Sequence, residues 1–201
     1  MFKNSKMYMP TYILIVINVA VYVWTAFLSQ NFISISDDVI AQYGQYNYYV
    51  LYGGAYWQLF TAMFVHVSIV HIAGNLLFLL IFGLRAEEMF DIKEYLLIYL
   101  LSGLAGNVLT LLFGPDMISA GASGAIFGMF GAVTIYVKRA VGQSIMTALM
   151  YAFFLLVLSF GAEVNVLAHL GGLVVGLLAG YAFATTRRKP TTYQYRYSYS
   201  T

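Results

Sequence analysis

The chain has 201 residues, 61% of them hydrophobic and only 9% charged, with a net charge of +2 and no cysteine. A soluble domain carries about 25% charged residues, so the composition excludes one and requires a polytopic membrane protein. The missing cysteine excludes disulfides and thiol chemistry. The net charge says little by itself; where the charges fall says more.

Apolar runs long enough for a bilayer core of about 30 Å occur at 11–29, 69–84, 94–113, 123–137, 144–162 and 167–186. The expected fold is all-α: a polytopic membrane protein with six transmembrane helices in a compact bundle and a long outer first loop. The first run follows Lys3, Lys6 and Pro10. It is too long and aromatic for a signal peptide and lacks a small-x-small cleavage site, so it reads as a retained span. The connection at about 30–68 carries Tyr43, Tyr46, Tyr48, Tyr49, Tyr52, Tyr56 and Trp57, amphipathic rings suited to the membrane interface. Gly53-Gly54 marks a turn within it.

The second span holds His71 and Asn75, four apart and therefore on one helix face. Polar side chains inside a membrane are costly enough to read as functional, with interhelical hydrogen bonding as the other reading. His66, five residues earlier, is expected near the membrane surface in a structural role. Arg85, Glu87 and Glu88 mark the inner boundary, with Glu87 expected on a solvated face and a bond back to an inner loop as its other reading. In the third span Ser102, Gly103, Gly106 and Asn107 suggest close helix packing.

Gly114-Pro115-Asp116 cannot be helix interior, and the fourth span opens after it at Gly121-Ala122-Ser123-Gly124. A serine there reads either as a helix N-cap or as a nucleophile whose neighbouring backbone N–H groups stabilise an oxyanion. The fifth span, Ser144 to Ala162, has no comparable polar cluster and is expected to complete the wall. Gly124 and Gly128 in span four, and Gly172, Gly176 and Gly180 in span six, are spaced by four. Such stripes let two helix backbones approach with no side chain between them. His169 precedes Gly172 and Gly176 on the stripe's face. If the stripes meet, it is delivered beside Ser123, with Phe127 one turn below to stack on the imidazole. At about 1.5 Å per residue, Ser123, His169 and His71 stand about 22, 27 and 21 Å above the inner ends of their spans. Span four is too short to cross fully, which leaves a water-accessible notch above Ser123.

Orientation follows from the basic residues. Lys3, Lys6, Arg85, Lys93, Lys138, Arg139, Arg187, Arg188, Lys189 and Arg196 all fall in segments that six spans place on one side. Asp37, Asp38, Asp116 and Glu163 fall on the other. The expected organisation is a cytoplasmic N-terminus over 1–10, a membrane domain over 11–186, and a basic, Tyr-rich cytoplasmic tail over 187–201 that reads as disordered. The expected location is the cell membrane, multi-pass, with both termini cytoplasmic.

Three motifs occur in order within this frame: His71-Ile72-Ala73-Gly74-Asn75, Gly121-Ala122-Ser123-Gly124, and Ala168-His169-Leu170-Gly171-Gly172. Over about residues 10–186 the chain resembles the rhomboid family of intramembrane serine proteases, in its prokaryotic six-span form, whose marks are HxxxN, GxSG and AHxxG. The resemblance implies that Ser123 is the nucleophile and His169 the base, with no aspartate. It implies an oxyanion hole of the Ser123 N–H, His71 and Asn75. It also implies an aromatic ring, here Phe127, packed on the histidine, with Gly121, Gly124, Gly172 and Gly176 in support. Family members often carry Trp-Arg where Trp57-Gln58 stands here, and anchor the outer loop through the arginine. The implied substrates are transmembrane helices of other proteins in the bilayer; no cofactor, metal or nucleic acid is expected.

Three rivals remain for comparison. A non-proteolytic relative that only binds membrane helices is expected to lose Ser123 or His169, and both are present. A metalloprotease using His66, His71 and His169 lacks His-Glu-x-x-His and a nearby carboxylate. A transporter or channel needs a polar path through the inner half, and the sequence offers none.

The topology is testable in this cysteine-free chain with single introduced cysteines. Those at Asp37, Asp116 and Glu163 are expected to react with an impermeant thiol reagent from outside, and those at Lys6, Lys138 and Lys189 to be protected. Outside reaction at Lys138 with protection at Asp116 would invert the middle spans and separate Ser123 from His169.

Overall fold

A computed structural model describes residues 9–141 and 164–186. The span expected at 144–162, the tail over 187–201 and most of the N-terminal segment lie outside the described residues. Within them the long apolar runs fold as helices α1 (Met9–Ser29), α5 (Ile69–Met89), α6 (Ile92–Thr110), α7 (Ser123–Val141) and α8 (Val166–Thr186). The first connection folds into the short helices α2 (Asp37–Tyr43), α3 (Asn47–Gly53) and α4 (Gln58–Thr61). Strand β1 (Gln45–Tyr46) pairs antiparallel with β2 (Ile118–Ser119), placing Gln45 opposite Ser119. The described residues are mostly helical, as expected, and this two-residue ladder pairs loop backbone at the edge of the bundle instead of leaving it open.

Among the described residues, four helices are long and apolar enough to cross a membrane: α1, α5, α6 with its 3-10 extension to Phe113, and α8. Their outward faces carry exposed apolar side chains such as Val16, Phe27, Leu77 and Leu178. The chain is thus a mostly helical, multi-pass membrane protein. The fourth expected span, α7, is the interior helix. Ala125, Met129 and Ala132 on it are fully buried, and it packs against α8, α6 and α5. It ends on Lys138 and Arg139, and the Arg139 guanidinium lies 4.7 Å from the centre of the Tyr181 ring on α8.

The two glycine stripes meet. A Cβ on Gly172 would overlap the Gly124 carbonyl, one on Gly176 would overlap Gly128, and one on Gly180 would come within 2.6 Å of Ala132. On the other side of α8, a Cβ on Gly106 of α6 would meet the Ala168 carbonyl at 2.5 Å. α8 is therefore held in backbone contact on two sides, the packing that small residues permit in lipid.

Both ends of the bundle are tied by buried polar side chains. At the expected inner end Glu87 is buried, only 8% exposed, and its Oε1 accepts a hydrogen bond from the Thr11 backbone N–H at 2.8 Å. The expected solvated face is corrected: the carboxylate meets a free N–H in the first turn of α1, where a negative charge is favoured. Thr11 Oγ1 also hydrogen-bonds the Tyr95 hydroxyl at 2.9 Å, linking α1 to α6.

At the other end the loop hangs on amides. Gln58 is 1% exposed; its Nε2 donates to the carbonyls of Ala41 (2.8 Å) and Gln42 (3.2 Å), and its Oε1 accepts from Tyr46 N–H at 3.0 Å. A neutral amide thus anchors α4 to the end of α2 and to β1. Asn47 Nδ2 donates to the carbonyls of Thr110 and Gly114, and Asn107 Nδ2 donates to that of Leu59. These amides supply the partners that irregular backbone needs when it is buried.

The seam makes a quantitative prediction. Gly172→Ala is expected to destabilise the detergent-solubilised protein by about 3 kcal/mol, the upper range for an overpacked core, because the clashing atoms are backbone. Gly53→Ala, whose added methyl would reach only Tyr49 Cβ at 4.0 Å, is expected to stay within about 0.5 kcal/mol of the parent. Equal unfolding midpoints for the two variants would contradict the seam.

Candidate active site

The candidate site begins with a glycine that no other residue can replace. Gly121 has φ of +134°, a conformation L side chains rarely adopt. A Cβ there would fall 2.8 Å from Cε1 and 3.0 Å from Nε2 of His71. The Gly121 N–H donates to the Ala62 carbonyl at 2.9 Å, tying the connection after β2 to the end of α4. The chain then enters α7, and the Ala122 carbonyl accepts the first helical bond from Ile126 N–H. Ser123 is thus the first residue of α7, where backbone N–H groups are unused and the helix dipole is positive.

The Ser123 side chain does not cap its own helix. Its Oγ lies 2.8 Å from Nε2 of His169 on α8. His169 is 4% exposed, and its ring stacks on Phe127 with centroids 4.3 Å apart and planes 18° from parallel. Nδ1 of His169 has no hydrogen-bond partner among the described residues, so the ring is oriented by the stack and by the helix that carries it. The glycine seam begins immediately below: Gly124 and Gly172 follow Ser123 and His169 by one and three residues.

His71 and Asn75 line the same cavity from α5. α5 starts at Ser68, whose side chain accepts from the His71 N–H at 3.2 Å, so its first turn faces Gly121. Asn75 is buried, and its Nδ2 donates to the His71 carbonyl at 2.9 Å, turning the amide up toward the first turn of α5. His66, three residues before α5, is fully buried and sits edge-on to His71 with ring centroids 5.3 Å apart. Burial, with His71 adding to it, pushes the His66 pKa down to about 3, which keeps that ring neutral. Its Nδ1 lies 3.2 Å from the Phe64 carbonyl.

The cavity has a volume of about 430 Å³. Ser123, His71, Asn75 and His169 stand at its polar end, and Phe78, Phe82 and Phe130 line an apolar extension between α5 and α7. Of the residues singled out in the sequence, Ser123, His169, Phe127, His71, Asn75, Gly121 and, from α6, Asn107 line this cavity. Gly124, Gly172 and Gly176 lie in the seam below. Asn165 also lines the cavity and was not singled out. Its signal was an asparagine directly before an apolar run, the signature of a helix N-cap.

A hydroxyl within hydrogen-bond reach of an imidazole, beside unused helix N–H groups, can in principle form a nucleophile and stabilise an oxyanion. The Rhomboid domain, as a family, matches residues 53–186 of this chain. RHOMBOID-like protein 6, mitochondrial, of Arabidopsis thaliana is 36% identical over 138 residues, covering 66% of this chain and 45% of that protein. Rhomboid-like protease 3 of Toxoplasma gondii is 36% identical over 132 residues, covering 60% and 49%. Rhomboid protease GluP of Bacillus subtilis is 32% identical over 192 residues, covering 90% and 36%. The chain spans a third to a half of the length of these relatives. With the family's domain matched from the end of α3 through α8, the chain belongs to the rhomboid family.

Proposed function

We propose that this protein is an intramembrane serine endopeptidase that cuts transmembrane helices of other membrane proteins near the outer face. Ser123 is the nucleophile and His169 the base. The observation that carries the reading is the 2.8 Å approach of Ser123 Oγ to His169 Nε2 at the polar end of a cavity shared with His71 and Asn75.

The chemistry follows from what these groups do. His169 Nε2 takes the Ser123 hydroxyl proton as Oγ attacks the scissile carbonyl carbon. The developing oxyanion accepts hydrogen bonds from the Ser123 N–H and from His71 and Asn75, which count most where water is scarce. As the C–N bond breaks, His169 returns the proton to the leaving amine. A water entering from outside then gives a proton to His169 and attacks the Ser123 ester, and as the C–Oγ bond breaks His169 returns that proton to Ser123 Oγ, freeing the new carboxyl product.

Substrate selection follows from the bilayer. A helix in lipid satisfies its own backbone, so a scissile carbonyl becomes available only where the helix unwinds. Six spans with both termini cytoplasmic would open the site to outer water, so helices that unwind near the outer face are the expected substrates. The named proteases among the relatives support this reading.

Ser123→Ala and His169→Ala are each expected to abolish cleavage of a transmembrane substrate by folded, purified protein; near-parental turnover in either would end the dyad reading. Asn75→Ala is expected to be milder, with 10²–10³ as about the upper range for loss of one oxyanion donor. A raised KM at constant kcat in that variant would make Asn75 a substrate contact instead.

A further inference from the structure

We infer that Asn165 is a positioning residue that sets His169 against Ser123, by tying the start of α8 to the strand that leads into α7. The inference rests on the proposed protease reading and adds to it a residue outside the three motifs.

Asn165 directly precedes α8 and is 7% exposed. Its Oδ1 accepts from the Ala168 N–H at 2.9 Å, the N-cap bond, and its backbone carbonyl accepts from the His169 N–H at 3.2 Å. Its Nδ2 does something a cap does not need. It donates to Thr110 Oγ1 at 2.6 Å, at the end of α6, and to Ser119 Oγ at 2.8 Å, in β2. Thr110 Oγ1 in turn donates to the Gly106 carbonyl at 2.9 Å, so donor and acceptor roles are consistent along the chain of bonds.

The register is symmetric about the dyad. Ser119 lies four residues before Ser123, and Asn165 lies four residues before His169. One side chain therefore joins the lead-in of the nucleophile to the lead-in of the base. Lower down, the glycine seam fixes how close α7 and α8 come. Asn165 fixes the height and rotation of the first turn of α8, the turn that ends in His169. With its Oδ1 and Nδ2 so engaged, Asn165 acts through His169 and not on substrate. Misplacing a reacting pair by about 1 Å can cost about 10²-fold in rate, so the tether is felt as lost turnover.

The test compares Asn165→Ser, Ser119→Ala and their double variant, in detergent-solubilised full chain, with Ser123→Ala as control. Three quantities are read: phosphonylation of Ser123 by a fluorophosphonate probe, kcat and KM on a transmembrane substrate, and the unfolding midpoint. Serine keeps the helix cap but is too short to bridge Thr110 and Ser119. Asn165→Ser is therefore expected to unfold near the parental temperature while kcat and phosphonylation fall by about 10- to 10²-fold, with KM unchanged. Ser119→Ala is expected to move the same way by a smaller factor. The double variant is expected to be no slower than Asn165→Ser, because both lose the same bond.

Parental phosphonylation in Asn165→Ser would overturn the inference and leave Asn165 a simple cap. A raised KM at parental kcat would overturn it too, making Asn165 a substrate contact. If Asn165→Ser fails to fold, Ser119→Ala at the half-buried strand decides alone, and a parental rate there overturns the tether. Cleavage that persists in Ser123→Ala would instead bring down the protease reading itself. An inactive Ser123→Ala beside a fully active Asn165→Ser would bring down only the tether.

Discussion

The structure depends on the backbone-to-backbone contact of α7 and α8. A Cβ on Gly172 or Gly176 would strike Gly124 or Gly128, so the two helices meet with nothing between them. In lipid there is no hydrophobic gain from hiding leucine against leucine, and close van der Waals packing carries the association. The consequence is geometric. Ser123 and His169, one on each helix just above the seam, are brought to 2.8 Å, and Phe127 is left in place to hold the imidazole flat. A side chain of ordinary size anywhere along the seam would part them.

A seam alone sets a distance, and the rest of the molecule sets the register. At the loop end, Gln58, Asn47 and Asn107 bond main-chain carbonyls far away in sequence, which lets irregular backbone lie buried without orphaned polar groups. Gly121 is tied to the end of α4, and Ser119 to Asn165. The loop thus helps to frame the candidate site. At the opposite end Glu87 and Tyr95 tie α1 to α5 and α6 through Thr11. The middle is dominated by glycine, alanine and apolar side chains, with Asn18, Tyr99 and Ser102 buried among them.

Much of this was legible in the sequence because it rests on periodicity. The four-residue spacing of the glycines announced a seam, and the offset of His169 from Gly172 announced what the seam delivers. Phe127 followed from the 3.6-residue turn. Periodicity says nothing, however, about partners that are single carbonyls or N–H groups in distant segments. Glu87 read as a solvated charge because its partner, the Thr11 N–H, lies 76 residues away. Gln58 read as a departure from the family's arginine, while its three bonds to the end of α2 and to β1 depend on a loop path that no local pattern encodes. β1 and β2, two residues each, are too short for an alternation signal. Asn165 carried a capping signature, but its bonds to Thr110 and Ser119 appear only once α6, β2 and α8 are assembled.

The central claim is that the glycine seam makes the proposed Ser123–His169 pair. It is tested most directly by widening the seam far from the chemistry. Gly176 lies two turns below His169 and touches neither the cavity nor the pair. In a folded Gly176→Val protein the account predicts that reaction of Ser123 with a fluorophosphonate probe is lost, because parting α7 from α8 takes the base away from the hydroxyl. Reaction at the parental rate in that folded variant would contradict it.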